Sequence, residues 1–292
     1  MQNNPMKNLK IIDVNTHPSF SENDYKTDAK QIGIDFTLNG LLKDFKKYNV
    51  YRAVAMPRFS HNCIGERISH TDRNDEIIQI VKNHPDKFLG VATLQPSEFV
   101  EKDIEAIEKG INGGYFKALK LYLGYEYFYP NSEECMPIYE FAQRMNIPVF
   151  FHTGDTWSKF SRVKYAHPLA IDDVACSFPK VKLVICHFGN PWITDATEVV
   201  YKNNNVFTDI SGLVVYSNSI YRKQYEKSKI RQVSEAIYFD DNIANKVMFG
   251  TDYPIVGYEY YTKLISRLEV GKKDLRKIFF ENARKLFGLG KK

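Results

Sequence analysis

Four apolar runs in this 292-residue chain end in a residue able to bind a metal or carry a proton. Residues 147–154 read IPVFFHTG and bring Val149-Phe150-Phe151 to His152. Residues 181–189 read VKLVICHFG and reach His187, and residues 246–254 read KVMFGTDYP and reach Asp252. Residues 9–17 read LKIIDVNTH and reach His17. A short run without polar residues reads as a strand buried on both faces. A His or Asp at the carboxyl end of such a strand sits at the mouth of an α/β barrel or crevice. Imidazoles and carboxylates gathered there suit zinc, iron or manganese. Three protein ligands and a water make a catalytic site, because the metal lowers the water's pKa to about 7. A further His within reach moves a proton. Each residue also has a bland reading: His152 and His187 as hydrogen-bonded core histidines, Asp252 as a cap for the helix after Pro254.

The elements that must position these residues follow from periodicity. Strands are predicted over 9–14, 51–56, 88–94, 115–121, 147–151, 181–187, 205–210 and 246–251. Helices are predicted over 38–48, 75–83, 99–109, 134–145, 169–178, 192–202 and 230–238, with two more over 258–268 and 273–287. In the first helix Leu38, Leu41, Leu42 and Phe45 recur at helical spacing. Gly110 is read as the stop of the third. Two-residue alternation puts Phe116, Ala118 and Lys120 on one face of the fourth strand. A long loop, 57–74, carries Arg58, His61, Arg67 and His70; a loop of that length is often functional. A polar loop is read over 216–229. Strands alternating with helices imply a parallel sheet with right-handed crossovers. Eight such units fit an α/β fold of (β/α)8 barrel type, one domain over 1–292. The only tight glycine pair, Gly113-Gly114, precedes a strand, so a dinucleotide fold is disfavoured.

Hydrophobic and charged fractions of 43% and 26% are those of a globular protein. The net charge of +5 is scattered, and the densest cluster, Lys43 to Lys47, reads as a solvated helix face. Nucleic acid is therefore not an expected partner. No run approaches the roughly 18 residues of a membrane span, and the first residues lack the apolar core of a signal peptide. Cys63, Cys135, Cys176 and Cys186 show no CxxC spacing and read as free thiols in a reducing compartment, which points to the cytoplasm.

In order along the chain, IIDVNTH, FFHTG, VICHFG, MFGTDYP and the terminal ENARKLFGL resemble the amidohydrolase superfamily, and within it the amidohydrolase-related branch of hydrolases and non-oxidative decarboxylases. The resemblance spans essentially the whole chain. It implies a TIM barrel whose metal is held by an HxH pair on strand one, a His on strand five and an Asp on strand eight. It also implies a strand-six His that serves a second metal or the catalytic water. Carried over residue by residue, His17, His152 and Asp252 are the metal ligands and His187 is the acid or base. The chain departs from the pattern at the first His of the pair, which is Asn15. An amide oxygen is a poorer ligand than imidazole, so Asn15 reads either as a weak ligand or as the mark of a site that has drifted away from metal.

These readings converge on an enzyme with one divalent ion, zinc ahead of manganese or iron, acting on a small anionic substrate. The first expectation is a hydrolase that uses metal-activated water on an amide, ester or lactone, with Asp252 and His187 catalytic. The alternative is a metal-dependent decarboxylase of an aromatic or unsaturated acid, and a third reading is a metal-free ligand-binding relative. Lys120 and Arg58 are candidates to bind a substrate carboxylate, alongside Asn15. For Lys120 a carbamate bridge between two metals, or a pairing with Asp209, is the competing account. The aromatic loop Tyr122 to Tyr129 either walls the substrate pocket or packs an interface of a homo-oligomer.

Overall fold

The computed structural model describes residues 9–19, 30, 32–58, 70–96, 101–156, 158–215 and 219–290. Eight strands run parallel in sequence order: β1 (Ile11–Thr16), β2 (Val50–Ala55), β3 (Phe88–Thr93), β4 (Phe116–Leu121), β5 (Val149–Phe151), β6 (Leu183–Ile185), β7 (Val206–Asp209) and β8 (Val247–Met248). The circle closes beyond the last strand, where Val14 N donates to Phe249 O at 3.0 Å, Asp252 N to Asn15 O at 2.9 Å and His17 N to Tyr253 O at 2.8 Å. The predicted (β/α)8 barrel is therefore the fold.

Helices α1 (Leu38–Lys47), α2 (His70–Asn83), α3 (Glu101–Asn112), α4 (Met136–Met145), α5 (Ala170–Ser177), α6 (Ile193–Lys202), α7 (Arg222–Tyr238) and α8 (Tyr258–Ile265) follow the strands. The chain ends in α9 (Lys272–Arg276), a π turn (Lys277–Glu281) and α10 (Asn282–Leu286). Among the described residues no helix is long and apolar enough to cross a membrane. Side chains split into two apolar layers by the strand alternation. Ile12, Val14, Val54, Met56, Leu89, Val91, Ala118, Phe150, Val184 and Met248 fill the barrel, and Ala283 and Leu286 of α10 join them. Asn282 holds α10 under the barrel floor by donating to the carbonyls of Ala244 and Val247 at 2.8 and 2.7 Å.

Four expectations are corrected. Gly110 does not stop α3, which continues to Asn112 and ends at Gly113-Gly114, with Gly114 at φ +81°. A Cβ on Gly110 would lie 2.4 Å from the Phe116 ring, so that glycine lets helix and strand approach. Phe116 lies in the outer layer rather than with Ala118, because the β3–β4 register shifts between Gly90 and Val91. α2 begins at His70 and shortens the 57–74 loop, of which His61, Cys63 and Arg67 lie outside the described residues. α7 begins at Arg222, not Ile230, so the polar stretch before it is largely helical.

Directly under the β1–β8 seam, Asp13 is fully buried. It accepts from Thr251 Oγ1 at 2.6 Å, Thr251 N at 3.0 Å and Asn15 N at 3.1 Å. Burial outweighs these bonds and pushes its carboxyl from 3.8 up to about 7. A carboxyl raised this way stabilises the fold fully below its unfolded value, and that contribution is lost as pH rises through about 7. Asp13→Asn keeps the shape without the charge. Its stability relative to wild type, read from denaturant midpoints, should improve between roughly pH 5 and pH 8 by an amount on the order of 2–4 kcal/mol. A difference that does not change with pH would contradict this account.

Candidate active site

The strand ends bring His17, His152, His187 and Asp252 to one mouth. His17 Nε2 lies 3.2 Å from Asp252 Oδ1, and His152 Nδ1 lies 3.2 Å from His187 Nε2. A cavity of ≈ 70 Å³ is lined by Tyr125, His152, Asp155, His187, Asn190, Gly212, Val215, Asp252 and Ile255. A larger cavity, ≈ 600 Å³, lies between α1 and the β8–α8 loop; it is lined by surface ion pairs such as Lys47–Glu259 and contains no histidine.

Hydrogen bonds fix which ring nitrogens carry protons. His17 Nδ1 faces the Pro57 carbonyl at 3.2 Å, so it donates there and its Nε2 meets Asp252 as an acceptor. His152 Nε2 faces the Asp155 carbonyl at 2.9 Å, and His187 Nδ1 faces the Ser211 carbonyl at 3.2 Å. With both outer nitrogens donating, His152 Nδ1 and His187 Nε2 point lone pairs at each other. Each 3.2 Å gap is then acceptor against acceptor, and each is satisfied only by an added proton or a cation.

Asp209 holds this arrangement. Its Oδ1 accepts from His187 N at 3.0 Å, from Ser211 N at 2.9 Å and from Ser211 Oγ, and Asn15 Nδ2 reaches Ser211 Oγ at 3.0 Å. His187, Phe188 and Asp252 have φ of +59°, +49° and +68°, a left-handed conformation that costs a non-glycine residue on the order of 1–2 kcal/mol. Strain of that kind persists where surrounding bonds over-determine the backbone, and it concentrates at functional sites.

Electrostatics separates the two pairs. Burial alone would raise Asp252, but its electrostatic interaction with nearby His187 and its bond to His17 hold its carboxyl well below the usual range. Burial, with His187 and Lys120 adding to it, holds His152 well below its ordinary value. A proton placed on His152 is thus readily given up.

The remaining sequence candidates lie around this centre. Lys120 is 1% exposed and is not among the cavity's lining residues; its Nζ contacts Cys186 Sγ at 2.8 Å rather than Asp209. Arg58 is likewise absent from the cavity's lining and turns to Glu76, 3.9 Å away. The aromatic loop divides: Tyr122 and Tyr125 are buried and Tyr125 packs edge-on against His152 at 4.7 Å, whereas Tyr127 and Tyr129 are exposed. Ser211, Asn190 and the hub role of Asp209 were not read from sequence. The Asp209-Ile210-Ser211 spacing, a strand end followed two residues on by a hydroxyl, was the available signal.

Residues 12–289 match the amidohydrolase family over nearly the whole chain. This chain is a member of that family. It is accordingly an enzyme, and it falls in the amidohydrolase-related branch. A curated relative, gamma-resorcylate decarboxylase of a Polaromonas species, is 21% identical over 256 residues, covering 75% of this chain and 76% of that relative. Among solved structures, a probable 2-pyrone-4,6-dicarboxylic acid hydrolase from Acinetobacter baumannii with citric acid bound superposes with a TM-score of 0.70 at 17% identity, covering 96% of this chain and 100% of that one. A Polaromonas dihydroxybenzoic acid decarboxylase with bound manganese and the inhibitor 2-nitroresorcinol gives 0.70 at 15% identity, covering 97% and 98%. At these identities the structures establish the shared barrel.

Do the residues of this amidohydrolase fit a metal? Among the described residues no three His, Cys, Asp or Glu side chains are already gathered as a metal site. The donors are nonetheless of the right chemistry. Two ligands of a tetrahedral ion with bonds of 2.0–2.1 Å stand about 3.3 Å apart, close to the 3.2 Å between His17 Nε2 and Asp252 Oδ1. Asn15, on the same seam, is fully buried and its Oδ1 has no hydrogen-bond partner among the described residues. Two acceptors facing one another and an unpartnered oxygen beside them fit a cation.

Gly212, at φ +59°, separates the pairs: a Cβ there would lie 3.0 Å from His187 Nδ1 and 3.1 Å from Asp252 Oδ2. Gly212→Ala should lower stability by about 1–2 kcal/mol while the circular dichroism spectrum stays native, and should cut turnover at least about tenfold through the displaced His187. Unchanged turnover would remove Gly212 and its two neighbours from the reacting geometry.

Proposed function

We propose that this amidohydrolase is a non-oxidative decarboxylase of a hydroxylated aromatic or unsaturated carboxylic acid, rather than a hydrolase of an amide, ester or lactone. The observation that carries the reading is the His152–His187 pair, which has room for one proton more than neutral and borders the cavity. Decarboxylation needs an acid aimed at carbon; hydrolysis needs a base for water. The cavity's apolar walls, Tyr125, Val215 and Ile255, and the curated gamma-resorcylate decarboxylase relative support the same choice.

At ≈ 70 Å³ the cavity is about half the size of one that holds benzene. It takes the carboxyl end of the substrate, and the rest lies against the rim beside Tyr125 and Ile255. A divalent ion held by His17 and Asp252, with Asn15 Oδ1 beside them, would supply positive charge to anchor a carboxylate and an adjacent hydroxyl, while His152 keeps its Nδ1 toward His187. His187 keeps its Nδ1 proton on Ser211 and presents Nε2 as the acid. His187 gives its Nε2 proton to the ring carbon bearing the carboxylate. The bond to the carboxylate breaks, its electron pair returns to the ring, and carbon dioxide leaves. Solvent then reprotonates His187. Asp252 stays ionised beside the pair. We also place the protein in the cytoplasm, on the free thiols of Cys135, Cys176 and Cys186.

Carbon dioxide release from 2,6-dihydroxybenzoate or a related acid, lost on chelation and regained with manganese, is the expected result. Ring-opened or hydrolysed products without carbon dioxide would replace this reading with the hydrolase. His187→Gln should lower kcat by about 10²–10⁴-fold, with KM changed much less. A kcat within about threefold of wild type would exclude His187 as the acid.

A further inference from the structure

One polar side chain at the mouth has no task in this scheme. Asn190 lines the cavity with His152, His187 and Asp252, and it is only 7% exposed. Its backbone is pinned on both sides of the histidine pair. Asn190 N donates to His187 O at 2.9 Å, and its carbonyl accepts from Asp155 N at 2.8 Å. A Cβ on Gly154 would come within 2.0 Å of that carbonyl, so residue 154 must stay small for Asn190 to keep its place. The side chain held this firmly has an Oδ1 with no hydrogen-bond partner among the described residues. A buried amide oxygen left unpaired is unfavourable, and such groups are uncommon in folded proteins. Asn282 differs: its Oδ1 is also unpaired, but its Nδ2 holds two carbonyls of the fold.

We infer that Asn190 is a specificity residue that reads a hydroxyl of the substrate. Its Oδ1 is an acceptor, so its partner must donate. A carboxylate offers only acceptors and would be repelled, whereas a phenolic or enolic hydroxyl donates. The hydroxyl lies next to the reacting carboxyl group, because Asn190 and His187 border the same small cavity. A site built around such a bond rejects the analogue lacking the hydroxyl, since the amide is then left buried and unpaired. This assignment rests on the decarboxylase reading for the identity of the substrate, but not for the existence of the hydroxyl contact.

The test uses the full-length, metal-loaded protein with benzoate, 2-hydroxybenzoate and 2,6-dihydroxybenzoate, measuring calorimetric affinity and carbon dioxide release separately. Wild type should bind the hydroxylated acids more tightly than benzoate. Asn190→Ala should reduce that preference roughly 10- to 100-fold while benzoate affinity changes less than about threefold. Asn190→Asp, which keeps an acceptor in the same shape, should retain the preference for hydroxylated acids over benzoate. A preference identical in wild type and Asn190→Ala overturns the proposal, and so does a wild type that does not distinguish the three acids. If no acid yields carbon dioxide but the binding preference still falls in Asn190→Ala, the decarboxylase reading fails and the assignment of Asn190 stands.

Discussion

Two pairs of acceptors facing one another set the terms for the rest of this molecule. His17 Nε2 against Asp252, and His152 Nδ1 against His187 Nε2, are each 3.2 Å apart. Their outer nitrogens are committed to the backbone carbonyls of Pro57, Asp155 and Ser211. Such an arrangement is unfavourable in a neutral protein. It becomes favourable once something positive enters, a proton in one gap or an ion in the other. The surrounding barrel holds the four groups in place until that happens, and this pre-organisation is what a catalytic site requires.

The strain in the backbone belongs to the same constraint. His187 and Asp252 turn into the site through left-handed conformations, each of which would relax in a looser framework. Asp209 prevents relaxation on one side through bonds to His187 N and Ser211 N. The seam to β1 does so on the other, through Asp252 N to Asn15 O. Asn15 therefore has a structural duty as well as any ligand duty, since its side chain also steadies Ser211. That double role is consistent with an amide standing where the family resemblance implies imidazole.

Much of this was legible in the residue order. Apolar runs ending in His17, His152, His187 and Asp252 located both the strands and the rim, because strand alternation and barrel geometry leave no other place for them. Lys120 was rightly placed inside the barrel, but its partner was not foreseen: alternation gives a face, and it does not give the depth at which an ammonium meets Cys186. The same rule misplaced Phe116, because a shift in register against Gly90 cannot be seen along one strand alone. Asn190 was missed for a related reason. Nothing local marks an asparagine whose carbonyl is held by Asp155 of another loop.

The seam between β1 and the segment after β8 has a further consequence for how the protein is made. His17 follows β1 and Asp252 lies near the other end of the chain, yet they share one gap, and Asn15 and Asp252 share one backbone bond. Seven of the eight strands can leave the ribosome before any such pairing exists. An ion or an inhibitor that enters this gap therefore ties the earliest-made strand to the last. Ligand occupancy should appear as resistance of the whole barrel to unzipping, rather than as stiffening of one loop.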